Sequence, residues 1–383
     1  MRPAAGCLHA RRRRIVAAGV ALIASAGLGA ACSPAGAGST SPPSSRETTT
    51  TLPASFQVGI HTFHWTDNSR THLTAELAAA PGRVLTTEVR YPTLDGRAGG
   101  EVVDAPPAAA GRPFPVIVFA HGFITEPDDY AAMLDAWVEA GFVVVSPVFP
   151  DENTSTVDAD GGEDNGTVQN NLENDVYAEP GDIVFVLRQL SSLAGQPWGS
   201  HLAGVLNLSD LALAGQSDGA SVVAALGYAS GFASLYRQLP SVPKAVAVMS
   251  GTLWTTTFTG SPGTYASGPA SPALLQIQSD ADGCNFPSAA KPLWRALEPG
   301  LSAKWFVTLF GANHLDPFQG RGRWAAVVDS VTTKFFELAL RWRVPTVSAA
   351  SVTRAGTVAG VATVSQKRAY DMPVVPPIGG CPS

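Results

Sequence analysis

The amino-acid sequence predicts an α/β fold, with a doubly wound, mostly parallel β-sheet covered by helices on both faces. The first observation is a series of short, continuous apolar runs, which are typical of strands buried on both faces. The second is that stretches with helical spacing separate these runs, as expected for parallel strands joined by crossover helices. The third is size: 383 residues, of which 45% are hydrophobic and 15% charged, suffice for one large core with additional segments.

Each element of this sheet follows from a local pattern. An alternating segment at residues 86–92 predicts an early strand. Apolar runs predict core strands at residues 112–120, 142–147, 211–216, 245–250, 273–277 and 305–310. Helical spacing predicts helices at residues 130–140, 182–193, 220–226 and 323–342.

The first 31 residues have the pattern of an export signal. Residues 11–14 are four arginines, and residues 15–31 form an apolar stretch rich in glycine and alanine. The run Leu28-Gly29-Ala30-Ala31-Cys32 resembles a lipoprotein cleavage box with Cys32 as the lipidated residue, and the arginine run resembles a twin-arginine signal. We therefore expect an exported protein, either a cell-surface lipoprotein attached to the membrane through Cys32 or a freely secreted one. A flexible Ser/Thr/Pro-rich linker is expected at residues 32–55.

The charge of the chain argues against a nucleic-acid partner, because its formal net charge is −6. The export signal carries five arginines and no acidic residue, so its removal lowers that charge to −11. Residues 151–182 contain ten acidic residues and no lysine or arginine. The favoured interpretation is a solvated acidic insertion. Calcium binding by residues 158–164 is the alternative, although these residues lack the order of an EF-hand loop.

Two cysteines remain in the mature protein. Cys7 leaves with the signal and Cys32 would carry the lipid, which leaves Cys284 and Cys381. In an oxidising compartment an even pair predicts a disulfide, with two free thiols as the alternative. The bridge would tie a C-terminal extension, residues 344–383 and expected to be rich in strands, to the main domain at residues 56–343.

A serine in a tight turn is the most specific local motif. Gly215-Gln216-Ser217-Asp218-Gly219 follows a predicted strand and precedes a predicted helix. A serine on such a strand-to-helix turn has a strained backbone and needs small flanking residues. The pattern Gly-x-Ser-x-Gly therefore marks Ser217 as a candidate nucleophile.

A base and an acid that would activate Ser217 follow it in the chain. Of the seven histidines, only His314 comes after Ser217, in the loop beyond the last predicted core strand. A nucleophilic serine needs such a base, and the base needs a carboxylate that orients it. The expected order is Ser, Asp, His, and the loop after residues 273–277 offers Asp282, with Asp280 as the alternative.

Backbone N–H groups for a developing oxyanion are expected at two places. One is Asp218, directly after the nucleophile, and the other is Phe123 in the loop after residues 112–120. We expect the His121 ring to bind this loop rather than a substrate. An ionised Asp218 carboxylate facing the oxyanion would oppose catalysis, so we expect its side chain to turn away.

The chain from about residue 84 to residue 342 resembles an α/β-hydrolase. Tyr91-Pro92, the segment from Pro115 to Phe123 and the serine turn resemble the branch of platelet-activating-factor acetylhydrolases, chlorophyllases and cutinase-like polyester hydrolases. The resemblance implies carboxylic ester substrates, small-molecule, lipid or polyester, and it implies that Phe123 and Trp254 line the acyl cleft. The acidic insertion and the C-terminal extension depart from the compact pattern of that branch and argue against a wide, open polymer groove.

The sequence thus favours an exported serine esterase that acts as a monomer and needs neither cofactor nor metal. A peptidase or an acyltransferase with the same three residues is an alternative. An inactive surface-anchored binding protein on a hydrolase scaffold is a further one, because a fold does not by itself fix a function.

Overall fold

A computed structural model of the chain describes residues 52–73, 78–96, 99–159, 172–252, 262–301, 303–342, 347–367 and residue 381. The predicted export signal, the predicted lipidation site Cys32 and most of the predicted linker lie outside these residues, as does Trp254.

The core is a ten-stranded sheet in the order β10-β9-β8-β7-β6-β4-β5-β2-β1-β3. Its strands are β1 Gln57–Leu73, β2 Ala79–Thr93, β3 Glu101–Val103, β4 Phe114–Ala120, β5 Val143–Pro147, β6 Leu206–Gln216, β7 Ala245–Met249, β8 Ala273–Ser279, β9 Lys304–Leu309 and β10 Ala362–Ser365. From β5 to β9 all neighbouring strands pair in parallel, while β2 pairs antiparallel with both β5 and β1. The predicted doubly wound, mostly parallel sheet is therefore confirmed.

Helices connect these strands. Among the described residues they are α1 Ala131–Glu139, α2 Thr154–Ala159, α3 Glu179–Ser191, α4 Gly199–Leu202, α5 Asp218–Tyr228, α6 Ala233–Tyr236, α7 Pro287–Leu297, α8 Gly322–Ala339 and α9 Ala349–Ala355. Single 3₁₀ turns occur at Pro127–Tyr130, Asn174–Tyr177, Leu193–Gly195, Ser230–Phe232 and Glu298–Gly300.

The continuous apolar runs arise because both faces of the central strands are covered. Along β4, Val116 and Val118 pack into one hydrophobic cluster, whereas Ile117 and Phe119 pack into the other. The first cluster includes residues of α3, α5 and α7, and the second includes residues of α1 and α8. Since successive side chains of a strand point to opposite faces, a strand between two helical layers has no polar face.

The N-terminal hairpin is longer than the sequence predicts. The strand expected at residues 86–92 is part of β2, and β1 was not predicted. Only the first half of β1 contributes buried apolar side chains, Val58, Ile60 and Phe63. The second half is largely polar, so its strand pattern is weak.

The interpretation of residues 151–182 as a solvated acidic insertion is wrong for four of its acids. Asp151, Glu152, Glu179 and Asp182 are all buried. Part of the segment is helical, in α2 and in α3, which begins at Glu179 rather than at the predicted residue 182. Most of the stretch proposed to bind calcium lies outside the described residues.

Arginines from the hairpin explain why Asp182 can be buried. The Arg83 guanidinium is fully buried and forms two hydrogen bonds to each of Asp175 and Asp182, at 2.6 and 2.9 Å in both cases. Arg70 also pairs with Asp182 and donates to the carbonyl oxygen of Ala178 at 3.0 Å. Bidentate pairing of this kind gives both energy and geometric specificity, and it fastens the acidic segment to the hairpin.

The C-terminal extension is joined to the rest of the chain in two ways. Its strand β10 pairs antiparallel with β9, and Cys381 forms a disulfide with Cys284, as predicted. The extension was expected to be rich in strands, but its described residues form one helix, α9, and one strand. Within the described part of the chain, no helix has the length and apolar character needed to cross a membrane.

Candidate active site

Ser217 occupies a sharp turn between β6 and α5. Its backbone has φ +56° and ψ −122°, a conformation that few residues with a Cβ adopt. The flanking glycines are required by close packing. A Cβ on Gly215 would lie 2.2 Å from the carbonyl oxygen of Gly219, and one on Gly219 would lie 2.2 Å from that of Ala120. The turn therefore presses the start of α5 against the end of β4.

His314 reaches Ser217 from the loop after β9. Its Nε2 lies 2.9 Å from Ser217 Oγ, and its Nδ1 lies 3.1 Å from each carboxylate oxygen of Asp282. The loop is shaped by Asn313, whose side-chain oxygen accepts hydrogen bonds from the N–H groups of Leu315 and Asp316. The three predicted residues therefore form a continuous hydrogen-bonded series, in which His314 and Asp282 are almost completely buried.

Asp282 is held by several donors besides His314. The N–H groups of Cys284 and Asn285 donate to Oδ1 at 2.9 and 3.0 Å, and the Gln278 amide donates to Oδ2 at 3.2 Å. All these partners are donors, which suits a carboxylate. The alternative acid, Asp280, instead accepts the N–H of Gly311 at 2.7 Å.

Two residues that the sequence did not single out, Ser250 and Gln216, contact this series, and a third, Tyr130, contacts Gln216. Ser250 Oγ donates to Asp282 and lies 3.0 Å from His314 Nδ1. Gln216 Nε2 donates to the His314 carbonyl oxygen at 3.2 Å, and Tyr130 Oη donates to Gln216 Oε1 at 2.7 Å. Gln216 thereby links the serine turn to the histidine loop. The Gly-x-Ser-x-Gly pattern leaves the residue before the serine unspecified, so the motif itself does not predict this contact.

The loop after β4 lies against the serine turn. A Cβ on Gly122 would be 2.9 Å from Ser217 Cβ, so the backbone passes beside the nucleophile. Phe123 is partly buried, and the cluster it packs against contains Ile124, Val157 and Leu172. Within the described part of the chain, the N–H groups of Phe123 and Asp218 have no hydrogen-bond partner.

His121 supports this loop through both ring nitrogens, as expected. Its Nδ1 lies 2.8 Å from the carbonyl oxygen of Gly122, and its Nε2 accepts the N–H of Phe149 at 3.0 Å. Burial lowers the pKa of His121 to about 4. The ring is therefore neutral at physiological pH, with its proton on Nδ1.

The Asp218 carboxyl group lies near the acidic segment. Burial raises its pKa to about 7, and the negative charge of Glu173 adds to this shift. In a large fraction of the molecules this carboxyl group is therefore uncharged at neutral pH. This reduces the electrostatic conflict that an ionised carboxylate beside the nucleophile would create.

Two further predictions concern Trp254 and metal binding. Trp254 lies outside the described residues, so its expected place in the acyl cleft stays a prediction. Among the residues that the structure describes, no group of three or more histidine, cysteine or acidic side chains is arranged to hold a metal ion.

Neither a protein-family model nor a curated protein sequence matches this chain. The structure is similar to that of a ferulic acid esterase from Streptomyces cinnamoneus, with a TM-score of 0.51 and 19% sequence identity. The match covers 79% of this chain and 96% of the esterase chain. The chain has an α/β-hydrolase fold. At this identity the likeness shows the fold alone, so the reaction has to be argued from the geometry of the site.

Proposed function

We propose that this α/β-hydrolase is an exported serine esterase that hydrolyses carboxylic esters through an acyl-enzyme intermediate. The observation that carries the proposal is the series from Ser217 through His314 to Asp282 at the turn between β6 and α5. A nucleophile, a base within hydrogen-bond reach and a carboxylate that orients the base are the three parts that this chemistry needs.

In the proposed reaction, Ser217 Oγ attacks the ester carbonyl carbon while His314 Nε2 takes the hydroxyl proton. Asp282 keeps the other ring proton on Nδ1 and stabilises the imidazolium that forms. The tetrahedral intermediate collapses, and His314 returns the proton to the departing alkoxide. Water then attacks the acyl-serine by the same proton transfers, which releases the carboxylic acid and restores Ser217.

The developing oxyanion would be bound by the N–H groups of Phe123 and Asp218. The support for this role is that both lie beside Ser217 and lack partners in the described part of the chain. Removing one such donor in other serine hydrolases costs about 10²–10³ in kcat. The neutral fraction of the Asp218 side chain favours the same role.

The substrate class is proposed to be carboxylic esters, in line with the ferulic acid esterase of similar fold. The test uses the purified mature protein with p-nitrophenyl esters of increasing acyl length and with a ferulic acid ester. We expect turnover of at least one of them and covalent labelling by a serine-directed phosphonate. The acyl-length preference would identify the acyl group that the cleft accepts.

The control variant is Ser217→Ala, which should lose turnover and labelling together. Wild-type protein without turnover or labelling would exclude the esterase proposal. Activity that persists in Ser217→Ala would show that another residue is the nucleophile.

We also propose export, with Cys32 as the lipid attachment site. The support is the basic, then apolar, N-terminal sequence and the presence of a disulfide. The test is the mass of the mature N-terminus from cells that express the full chain. A lipid-modified N-terminus at Cys32, lost in Cys32→Ser, is expected. An unmodified mature protein in the medium would show free secretion instead.

A further inference from the structure

Ser250 has an unusual backbone conformation directly after β7. Its φ is +53°, in the left-handed region that residues with a Cβ rarely adopt. Its side chain is buried, with 1% of the residue exposed. A residue in this conformation persists only where its surroundings determine it.

The surroundings of Ser250 fix its backbone on both sides. Its N–H donates to the carbonyl oxygen of Ile277 at 2.8 Å, and its own carbonyl oxygen accepts the Asn285 side-chain amide at 2.6 Å. The next residue, Gly251, is packed so closely on α5 that a Cβ there would lie 2.6 Å from Ala220 Cβ. These contacts connect the end of β7 to β8, to the loop after β8 that carries Asp282, and to α5, the helix that follows Ser217.

The hydroxyl group of Ser250 contacts both the proposed base, His314, and the carboxylate that orients it, Asp282. It donates to Asp282 Oδ2 and lies 3.0 Å from His314 Nδ1. A hydroxyl has one proton and two lone pairs. With its proton directed at Asp282, a lone pair is available to accept the Nδ1–H of His314. That N–H therefore lies between two acceptors, the carboxylate and the Ser250 oxygen.

We propose that Ser250 is a positioning residue for this site. Its hydroxyl group holds the His314 ring and the Asp282 carboxylate in their relative orientation. It keeps the proton on Nδ1, so that Nε2 remains the acceptor for the Ser217 hydroxyl. Ser250 does not touch the substrate, and it acts only through His314 and Asp282. The inference rests on the proposed esterase function.

The decisive variant is Ser250→Gly. Glycine adopts a positive φ freely, so this change removes the hydroxyl and keeps the backbone path. Ser250→Ala also removes the hydroxyl but keeps the backbone strain, and it serves as the second variant. The matched control is Ser146→Ala, which deletes a buried serine hydroxyl of β5 that has no hydrogen-bond partner in the described part of the chain. Thermal melting of each variant reports whether it folds.

We expect Ser250→Gly to lower kcat while KM stays nearly unchanged. A hydrogen bond to a charged group corresponds to about a 10- to 100-fold change, so kcat of Ser250→Gly should fall by about that factor. KM should stay within about twofold because no substrate contact is lost. In an Asp282→Ala background, Ser250→Gly should lower kcat by less than about threefold, since residues that act as a unit are not additive.

A spectroscopic measurement tests the inference without substrate. The low-field proton resonance of His314 Nδ1–H should shift in Ser250→Gly and stay in place in Ser146→Ala. An unchanged kcat together with an unmoved resonance would overturn the inference. The inference would also be overturned if Ser250→Gly lowered kcat by the same factor in the wild-type protein and in Asp282→Ala. If the wild-type protein hydrolyses no ester, the proposed function fails, and the resonance alone decides the role of Ser250.

Discussion

At the scale of single residues, the protonation state of Asp218 should affect the proposed reaction directly. Its N–H is a proposed oxyanion donor, while its carboxyl group is pushed by burial and by Glu173 toward the neutral form, with a pKa of about 7. Below this pH the group is mostly uncharged, and above it the residue whose N–H is proposed to bind the oxyanion carries a negative charge. The charge is unfavourable for an anionic transition state.

Asp218→Asn therefore tests the charge without a change of shape. At pH 6 we expect kcat/KM within about twofold of wild type, because the carboxyl group is then mostly protonated. At pH 8.5 the variant should be about two- to threefold faster, because it lacks the charge. The measurement is kcat/KM across this range. If the ratio of variant to wild-type kcat/KM did not vary with pH, the charge of Asp218 would not affect the reaction, contrary to this account. A ratio above about tenfold would mean that the carboxylate faces the oxyanion.

The sequence predicts the residues of this site to different degrees. Chain order alone singles out His314, since no other histidine follows Ser217. Counting from the apolar run of β8 favours Asp282, which is the acid that lies at His314. Ser250 and Gln216 could not be predicted, because their contribution depends on a positive φ and on loops from distant parts of the chain meeting at one edge of the sheet.

At the scale of elements, the acidic segment and the N-terminal hairpin stabilise each other. Arg83 lies on β2, and its partners Asp175 and Asp182 lie about 90–100 residues later in the chain. Burial by itself lowers the pKa of Arg83, but the charges and hydrogen bonds of Asp182 and Asp175 raise it well above its usual value. The guanidinium is thus the countercharge that allows two carboxylates to be buried.

Arg83→Met should therefore destabilise the protein strongly. The change leaves Asp175 and Asp182 without their main countercharge, and breaking a buried ion pair in this way costs about 3–5 kcal/mol. The free energy of unfolding in urea measures the effect. The control is Lys244→Met, which removes a half-exposed partner of Asp210 and should cost less than about 1 kcal/mol. If both variants lost the same free energy of unfolding, the buried ion pairs of Arg83 would contribute no more than an exposed pair.

Core elements are more predictable than peripheral ones for a physical reason. A strand buried on both faces, such as β4, must be apolar throughout, and its sequence shows this directly. An acidic residue looks the same in the sequence whether it is solvated or paired. The burial of Asp182 depends on Arg70 and Arg83, which precede it by 112 and 99 residues.

At the scale of the whole molecule, stability should depend on pH through two buried glutamates. Glu152 and Glu179 are fully buried, and no ion pair neutralises either among the described residues. Burial raises the pKa of both, and the charge of Glu179 raises that of Glu152 further. The unfolded chain loses these protons near its ordinary glutamate pKa of about 4.3, whereas the folded protein keeps them. Rising pH therefore favours the unfolded state until the folded groups also ionise.

We expect the free energy of unfolding to be larger at pH 5 than at pH 8. Glu179→Gln should flatten this dependence by as much as about 1.4 kcal/mol per pH unit, the value for one proton. Urea titrations at several pH values provide the measurement, with Asp95→Asn as the control that removes an exposed carboxyl group. A wild-type protein that becomes more stable from pH 5 to pH 8 would exclude this account.

The disulfide between Cys284 and Cys381 spans 97 residues of sequence, and on the chain-entropy model a loop of that size contributes about 4–5 kcal/mol. Its position has a second effect, because the N–H of Cys284 binds the carboxylate that orients His314. Oxidation of two thiols thus fixes the loop on which proton transfer depends. A newly made chain in a reducing cytoplasm would lack this support, so we expect the proposed esterase activity to mature together with the bridge. Under the proposed export, the cell that makes the protein would be protected from that activity until the chain reaches an oxidising compartment.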